Sequence, residues 1–182
     1  MKLPVYVYGH PVLRKKAAEI TPAYPQLEQL LVDMWETMKS DGVGLAAPQV
    51  GLSIRLFVID ASPFAEDFPE AEGFRQVFIN PVMLEQKGED EKFNEGCLSL
   101  PGIREDIVRK NRIRIKFFDE QFKEHCEEYH GIRARIIQHE YDHLEGKLFI
   151  DYLSPVKRRL LKSRLDAIRN GKIEVKYKIK LP

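Results

Sequence analysis

The run Gln138-His139-Glu140-Tyr141-Asp142-His143-Leu144-Glu145-Gly146 sets two histidines four residues apart, with a glutamate directly after the first. On a helix, positions i and i+4 share a face. Two imidazoles so placed grip one divalent metal, and Glu140 reaches a water on that metal as a general base, which is the mechanical content of the H-E-x-x-H pattern. Ile132, Ile136, His139 and His143 follow one another at three- and four-residue steps, so the ligand face is also the core-facing stripe. The chain must therefore press this helix against a sheet, with the metal half buried between them.

Two ligands leave a third to be found. In the longer pattern H-E-x-x-H-x-x-G-x-x-H, Gly146 matches the glycine but the last histidine falls at Phe149, which cannot ligate. A downstream carboxylate would have to be Asp166 or Glu174, and neither sits in a recognisable setting. Upstream, Glu95-Gly96-Cys97-Leu98-Ser99-Leu100-Pro101-Gly102 offers the thiolate of Cys97, a ligand that a catalytic site combines with imidazoles while keeping one position open for water. We take Cys97 as the third ligand. The only other cysteine, Cys126, could close the site as a fourth ligand, but residues 124–128 are a charged stretch without the turn chemistry of a zinc knuckle. In a reducing compartment the two cysteines read as thiols rather than as a disulfide.

A third cluster, Gly42-Val43-Gly44-Leu45-Ala46-Ala47-Pro48-Gln49-Val50-Gly51, is too rich in small residues for an ordinary core helix, and its glycines permit close backbone approach to a ligand. Taken in order, the three clusters resemble the peptide deformylase family, whose signatures read G-x-G-x-A-A-x-Q, E-G-C-x-S and Q-H-E-x-D-H-L-x-G. Every fixed position is matched between Gly42 and Gly146. The resemblance implies removal of the N-formyl group from formylmethionine at the start of newly synthesised polypeptides, with release of formate. It implies one divalent metal held by Cys97, His139 and His143, ferrous iron in the cell, with zinc, nickel or cobalt able to substitute. Glu140 would take the water's proton and deliver it to the departing amine, while the Gln49 amide and the Leu98 backbone N–H meet the oxyanion. The substrate methionine would enter an apolar pocket near Val43, Gly44, Ile136 and the aliphatic part of Arg135. Because the family acts on chains emerging from the ribosome, the basic run Lys157, Arg158, Arg159, Lys162 and Arg164 becomes a candidate ribosome contact. Read alone, the residues also allow a zincin-like metalloendopeptidase, or a metal-stabilised binding module without catalysis.

The remaining sequence frames this site. A chain of 182 residues suits one domain, 1–182, with one substantial core. Its 43% hydrophobic and 31% charged residues are those of a soluble protein, and a net charge of +1 argues against nucleic acid as the main partner and against its sequence-specific recognition. No apolar run is long enough to span a membrane, and residues 1–6 lack a signal-peptide core, so a cytoplasmic location is expected. Leu27, Leu30, Leu31, Met34, Trp35 and Met38 predict a helix over 26–39. Residues 54–60, 78–84 and 112–119 read as strands, and 61–76 as an acidic loop. The metal helix is expected to start near Gly131 and stop at Gly146. Ser154 and Pro155 open an amphipathic helix over about 155–170, carried by Val156, Leu160, Leu161, Leu165 and Ile168, and 172–181 alternate as a terminal strand candidate. The expected fold is α+β, with mixed or antiparallel sheets packed around a central metal-binding helix.

Overall fold

The apolar run Leu56-Phe57-Val58-Ile59 has no polar face, and the strand it forms, β3 (Leu56–Asp60), is buried on both sides. A computed structural model describes residues 1–39 and 41–182. In it β3 belongs to a five-stranded antiparallel sheet with β2 (Gly44–Ala46), β4 (Arg75–Gly96), β5 (Arg104–Phe118) and β6 (Glu124–His130), in the order β2-β3-β4-β5-β6. Since side chains alternate across a strand, Phe57 and Ile59 face one side with Phe78, Ile113, Ile115 and Phe117. There they pack on Ile132, Ile136, Ile137 and Leu144 of the long helix α2 (Gly131–Leu144). Leu56 and Val58 face the other side, with Val77 and Ile79, against Leu31, Met34 and Met38 of α1 (Leu27–Met38). The expected α+β architecture, an antiparallel sheet packed with the metal-binding helix in one domain, is the one observed.

A third apolar cluster joins Leu100, Ile103 and Ile107 to Leu148, Phe149 and Ile150 and to Leu161, Leu165 and Ile168. The last three belong to the helical segment α3 (Pro155–Leu160) and α4 (Lys162–Arg169), which meet at Leu161. A short parallel pair, β1 (Val5–Tyr6) with β7 (Ile179–Lys180), completes the molecule.

Several expectations need correction. The strands expected over 78–84 and 112–119 are parts of β4 and β5, which run on as a long hairpin with bulges at Ile79/Val82, Met83/Glu85 and Lys87/Asp90. Its outer half, residues 85–94, is almost entirely polar and exposed. With only Phe93 half buried against the core, no apolar alternation marks it as a strand; the ladder and cross-strand pairs such as Lys110–Asp90 (3.0 Å) hold it instead. The charged stretch 124–128 is likewise a strand, β6, whose charges protect the sheet edge. The acidic loop contains two 3-10 turns, Ser62–Phe64 and Pro69–Ala71. Ser154 caps the C-terminal helix as expected, accepting from the Lys157 N–H, but Val156 and Leu160 point to solvent, 68% and 76% exposed. The terminal strand is only Ile179–Lys180; residues 172–178 keep the alternation without a ladder.

Candidate active site

Helix α2 starts where β6 ends. Gly131 makes the corner at φ 58°, and the Glu70 carboxylate accepts from the Ile132 N–H at 3.1 Å. An acid at a helix N-terminus satisfies an orphan donor and complements the dipole. Farther along, the Gln138 amide donates to the Lys110 carbonyl at 2.9 Å and ties the helix to β5. His139 and His143 then face the turn between β4 and β5, which carries Cys97. The ligand atoms of Cys97, His139 and His143 lie within 4.8 Å of one another, with Cys97 Sγ 3.4 Å from His143 Nε2. Cys126 is exposed on β6 and takes no part, and the half-buried Asp166 is paired with Lys162 at 2.8 Å.

A buried charge network orients this cluster. Glu95 Oε1 sits 2.8 Å from His139 Nδ1, which places the proton on Nδ1 and leaves Nε2 for a metal. The same carboxylate accepts from Arg109 Nε (2.7 Å) and Nη2 (3.0 Å) and from Arg135 Nη1 (2.7 Å). Arg109 also donates to Asp142 at 2.8 Å, and Tyr152 donates to the same oxygen at 2.7 Å. Burial alone would raise the Glu95 pKa; hydrogen bonds from His139 and Arg109 overcome it and hold the carboxyl well below the usual range. Burial opposes charge on both imidazoles: it drives His143 well below its ordinary value, whereas Cys97 and Glu95 lift His139 well above.

The Glu140 carboxylate lies against Gly44 of β2 and is close enough to His139 for each to feel the other's charge. A Cβ at Gly44 would stand 2.4 Å from Glu140 Oε1, so the carboxylate occupies the space that any other residue at 44 would fill. Burial, with the Glu95 charge adding to it, pushes the Glu140 pKa up to about 7 against the pull of His139. Among the described residues, the only buried side-chain polar atoms without a hydrogen-bond partner are Glu140 Oε2 and His143 Nδ1. Gln49 is 1% exposed; its Oε1 accepts from the Ala46 N–H at 2.9 Å, and its Nε2 donates to Cys97 Sγ (3.3 Å) and Ser99 Oγ (3.2 Å). The Leu98 N–H has no backbone partner among the described residues. Val43 is half buried and packs in one cluster with Ile136, while the Arg135 guanidinium is spent on Glu95 and on the Ile107 and Glu91 carbonyls.

One thiolate and two imidazoles, preoriented and partly buried, suit a divalent transition metal with an open fourth position, and an unpaired buried carboxylate beside them suits proton transfer. The structure brings together the residues singled out by the sequence motifs, Cys97, His139 and His143 with Gln49, Glu140 and Gly44, and adds Glu95, Arg109, Asp142 and Tyr152, to which the motifs give no role. One signal was available. Ile107, Arg109, Ile113, Ile115 and Phe117 share the inward phase of β5, and an arginine in that phase needs a buried acid.

A model of the polypeptide deformylase family matches residues 2–159. The chain belongs to this family. It is 53% identical over 190 residues to the peptide deformylase of Christiangramia forsetii, covering 100% of this chain and 97% of that one. Among solved structures, the Thermus thermophilus peptide deformylase superposes with a TM-score of 0.82 at 39% identity, covering 94% of this chain and 99% of that one. The Thermotoga maritima peptide deformylase gives 0.76 at 42%, covering 85% and 99%. This deformylase is thus a hydrolase that removes the N-formyl group from nascent peptides, and its family is metal-dependent. The endopeptidase and binding-module readings are not favoured: the family and the relatives matched are deformylases, and the third group in the cluster is a cysteine rather than a downstream carboxylate. No described helix of the deformylase is long and apolar enough to cross a membrane.

Proposed function

We propose that this deformylase holds one divalent metal through Cys97, His139 and His143 and uses Glu140 as its general base and acid. The convergence of the three ligand atoms beside the Glu140 carboxyl carries the reading. A divalent ion held there would supply Lewis acidity, making a water far more acidic than in bulk and polarising the formyl oxygen. Glu140 accepts the water's proton and returns it to the departing amine, which must be protonated because an amide anion leaves poorly. The developing oxyanion is met by the Gln49 amide and the Leu98 N–H, each such donor being worth about 3 kcal/mol in the barrier. Gln49 Nε2 also bonds the Cys97 sulfur, so it steadies a ligand and the reacting centre together.

The substrate backbone runs along residues 42–44, with its methionine toward Val43, Gly44, Ile136 and the stem of Arg135. In the cell the metal is ferrous iron, replaceable by zinc, nickel or cobalt, and the enzyme works in the cytoplasm on chains leaving the ribosome. Exposed Lys157, Arg158, Arg159, Lys162 and Arg164 favour a phosphate-rich ribosomal contact. Charge reversal of Arg158 and Arg159 should then weaken co-sedimentation with ribosomes while leaving peptide turnover unchanged.

The deciding experiment is formate release from formyl-Met-Ala-Ser by anaerobic, ferrous-loaded protein, beside Glu140→Gln prepared identically. Release by the native chain and its loss in the variant, by about 100-fold or more at unchanged metal content, is expected. Native-like release by Glu140→Gln would remove Glu140 from the mechanism.

A further inference from the structure

The C-terminal residues 172–182 lie beyond the span matched by the family model, yet they reach the loop that carries Cys97. Half-buried Ile173, Val175, Tyr177 and Ile179 alternate with exposed Lys172, Glu174, Lys176, Lys178 and Lys180, so the tail is an extended strap with one face on the protein. Its far end is fastened by backbone bonds from Val5 N to Lys178 O (2.8 Å) and from Val7 N to Lys180 O (3.1 Å). Ile173 and Ile179 pack on the cluster containing Leu100 and Ile103. Between these anchors the Tyr177 hydroxyl donates to the Leu98 carbonyl at 2.8 Å.

Three successive carbonyls in the loop each have a partner. Cys97 O accepts from Leu100 N at 3.0 Å, Leu98 O from the Tyr177 hydroxyl, and Ser99 O from Tyr8 N at 2.9 Å. The outer two are bonded by backbone. The middle one depends on a single side chain. Turning the peptide after Leu98 rotates the chain at the residue whose own N–H faces the reaction and whose neighbour carries the thiolate.

We propose that Tyr177 is a positioning residue for deformylation: held by the C-terminal strap, its hydroxyl fixes the Leu98 carbonyl and so aims the Leu98 N–H and the Cys97 sulfur. The proposal rests on reading Cys97 as a metal ligand and the Leu98 N–H as an oxyanion donor. Tyr177 itself touches neither substrate nor metal.

The test uses Tyr177→Phe, which keeps the ring that packs beside Leu98 and removes only the donor. Zinc-loaded native protein, Tyr177→Phe and the surface control Lys176→Ala are compared in formyl-Met-Ala-Ser turnover, in zinc release to excess chelator and in thermal unfolding. For Tyr177→Phe, kcat should fall about tenfold, the scale of one well-made hydrogen bond, with KM unchanged. Zinc should leave severalfold faster, and Lys176→Ala should match the native protein in all three. A lowered Tm with native kcat and native zinc release would assign Tyr177 to stability alone and overturn the proposal, as would native values throughout. Cys97→Ser, measured alongside, separates the two levels. If it loses zinc while Tyr177→Phe behaves as native, only the strap proposal fails; if it keeps native zinc affinity, the ligand reading fails and takes the proposal with it.

Discussion

Glu140 and Gly44 define the site at the scale of single residues, because one exists in its present place only through what the other lacks. A Cβ at position 44 would meet Oε1, Cδ and Cγ of Glu140 at 2.4, 2.7 and 2.8 Å. Gly44→Ala must therefore displace the carboxyl. The expected result is a kcat lower by about 100-fold or more, within the range of a misplaced general base, while metal content and Tm stay near native. A native kcat in the variant would show that the base does not need this position. Glu95 invites a second substitution. Glu95→Gln leaves two buried guanidiniums facing a neutral amide, and breaking a buried pair costs about 3–5 kcal/mol. It also loosens His139, so metal affinity should drop by about 10- to 100-fold. Denaturant unfolding and chelator competition measure the two losses separately; a loss in one alone would mean the network serves only stability or only the metal. His139, Glu140 and His143 are legible in sequence because their geometry is fixed by helical spacing. Glu95 is not, because what makes it functional is a partner 44 residues away.

Elements place these residues by devices of unequal visibility. Helix α2 was legible from its three- and four-residue steps and its C-terminal glycine. Gly146 adopts φ 70°, as such a terminus requires. The cap at its other end was not legible: His130 offers no side-chain bond, and Glu70, in the loop before β4, supplies the acceptor. Glu70→Ala should cost about 1 kcal/mol, the usual value of a lost helix cap, read as a lower urea midpoint. Turnover per folded molecule should not change, since Glu70 holds the helix about two turns before His139; a fall in kcat at full folding would show that the helix start controls the ligand end. The outer hairpin of β4 and β5 is illegible in the sequence for the opposite reason. Helix and strand are both recognised in sequence by a buried face, and of residues 85–94 only Phe93 is half buried against the core. Nevertheless this hairpin delivers Cys97, so the one proposed ligand outside the helix follows an unremarkable polar stretch.

At the scale of the whole molecule, the site lies where three apolar clusters meet. Ile136 belongs to the cluster between α2 and the sheet, Leu98 to the one between α1 and the sheet, and Cys97 packs against the third, built from the C-terminal helix. The sequence showed each stripe separately; their meeting point depends on long-range packing that no local pattern encodes. A metal held by Cys97 and α2 would therefore tie the hairpin turn to the helix, and would bind the native state far better than an unfolded chain with scattered ligands. Linkage then makes stability depend on metal concentration, by about 4 kcal/mol when the free ion is about 1,000 times its dissociation constant. Removing the metal anaerobically with chelator should lower Tm by several degrees, and added zinc should restore it in a concentration-dependent way. Hydrogen exchange should locate the loss, rising most in residues 97–103 and the second half of α2 and least in β3, which is buried on both faces. Equal exchange in the two forms, with an unchanged Tm, would mean that the three clusters hold the ligands together without the ion and that metal binding contributes chemistry alone.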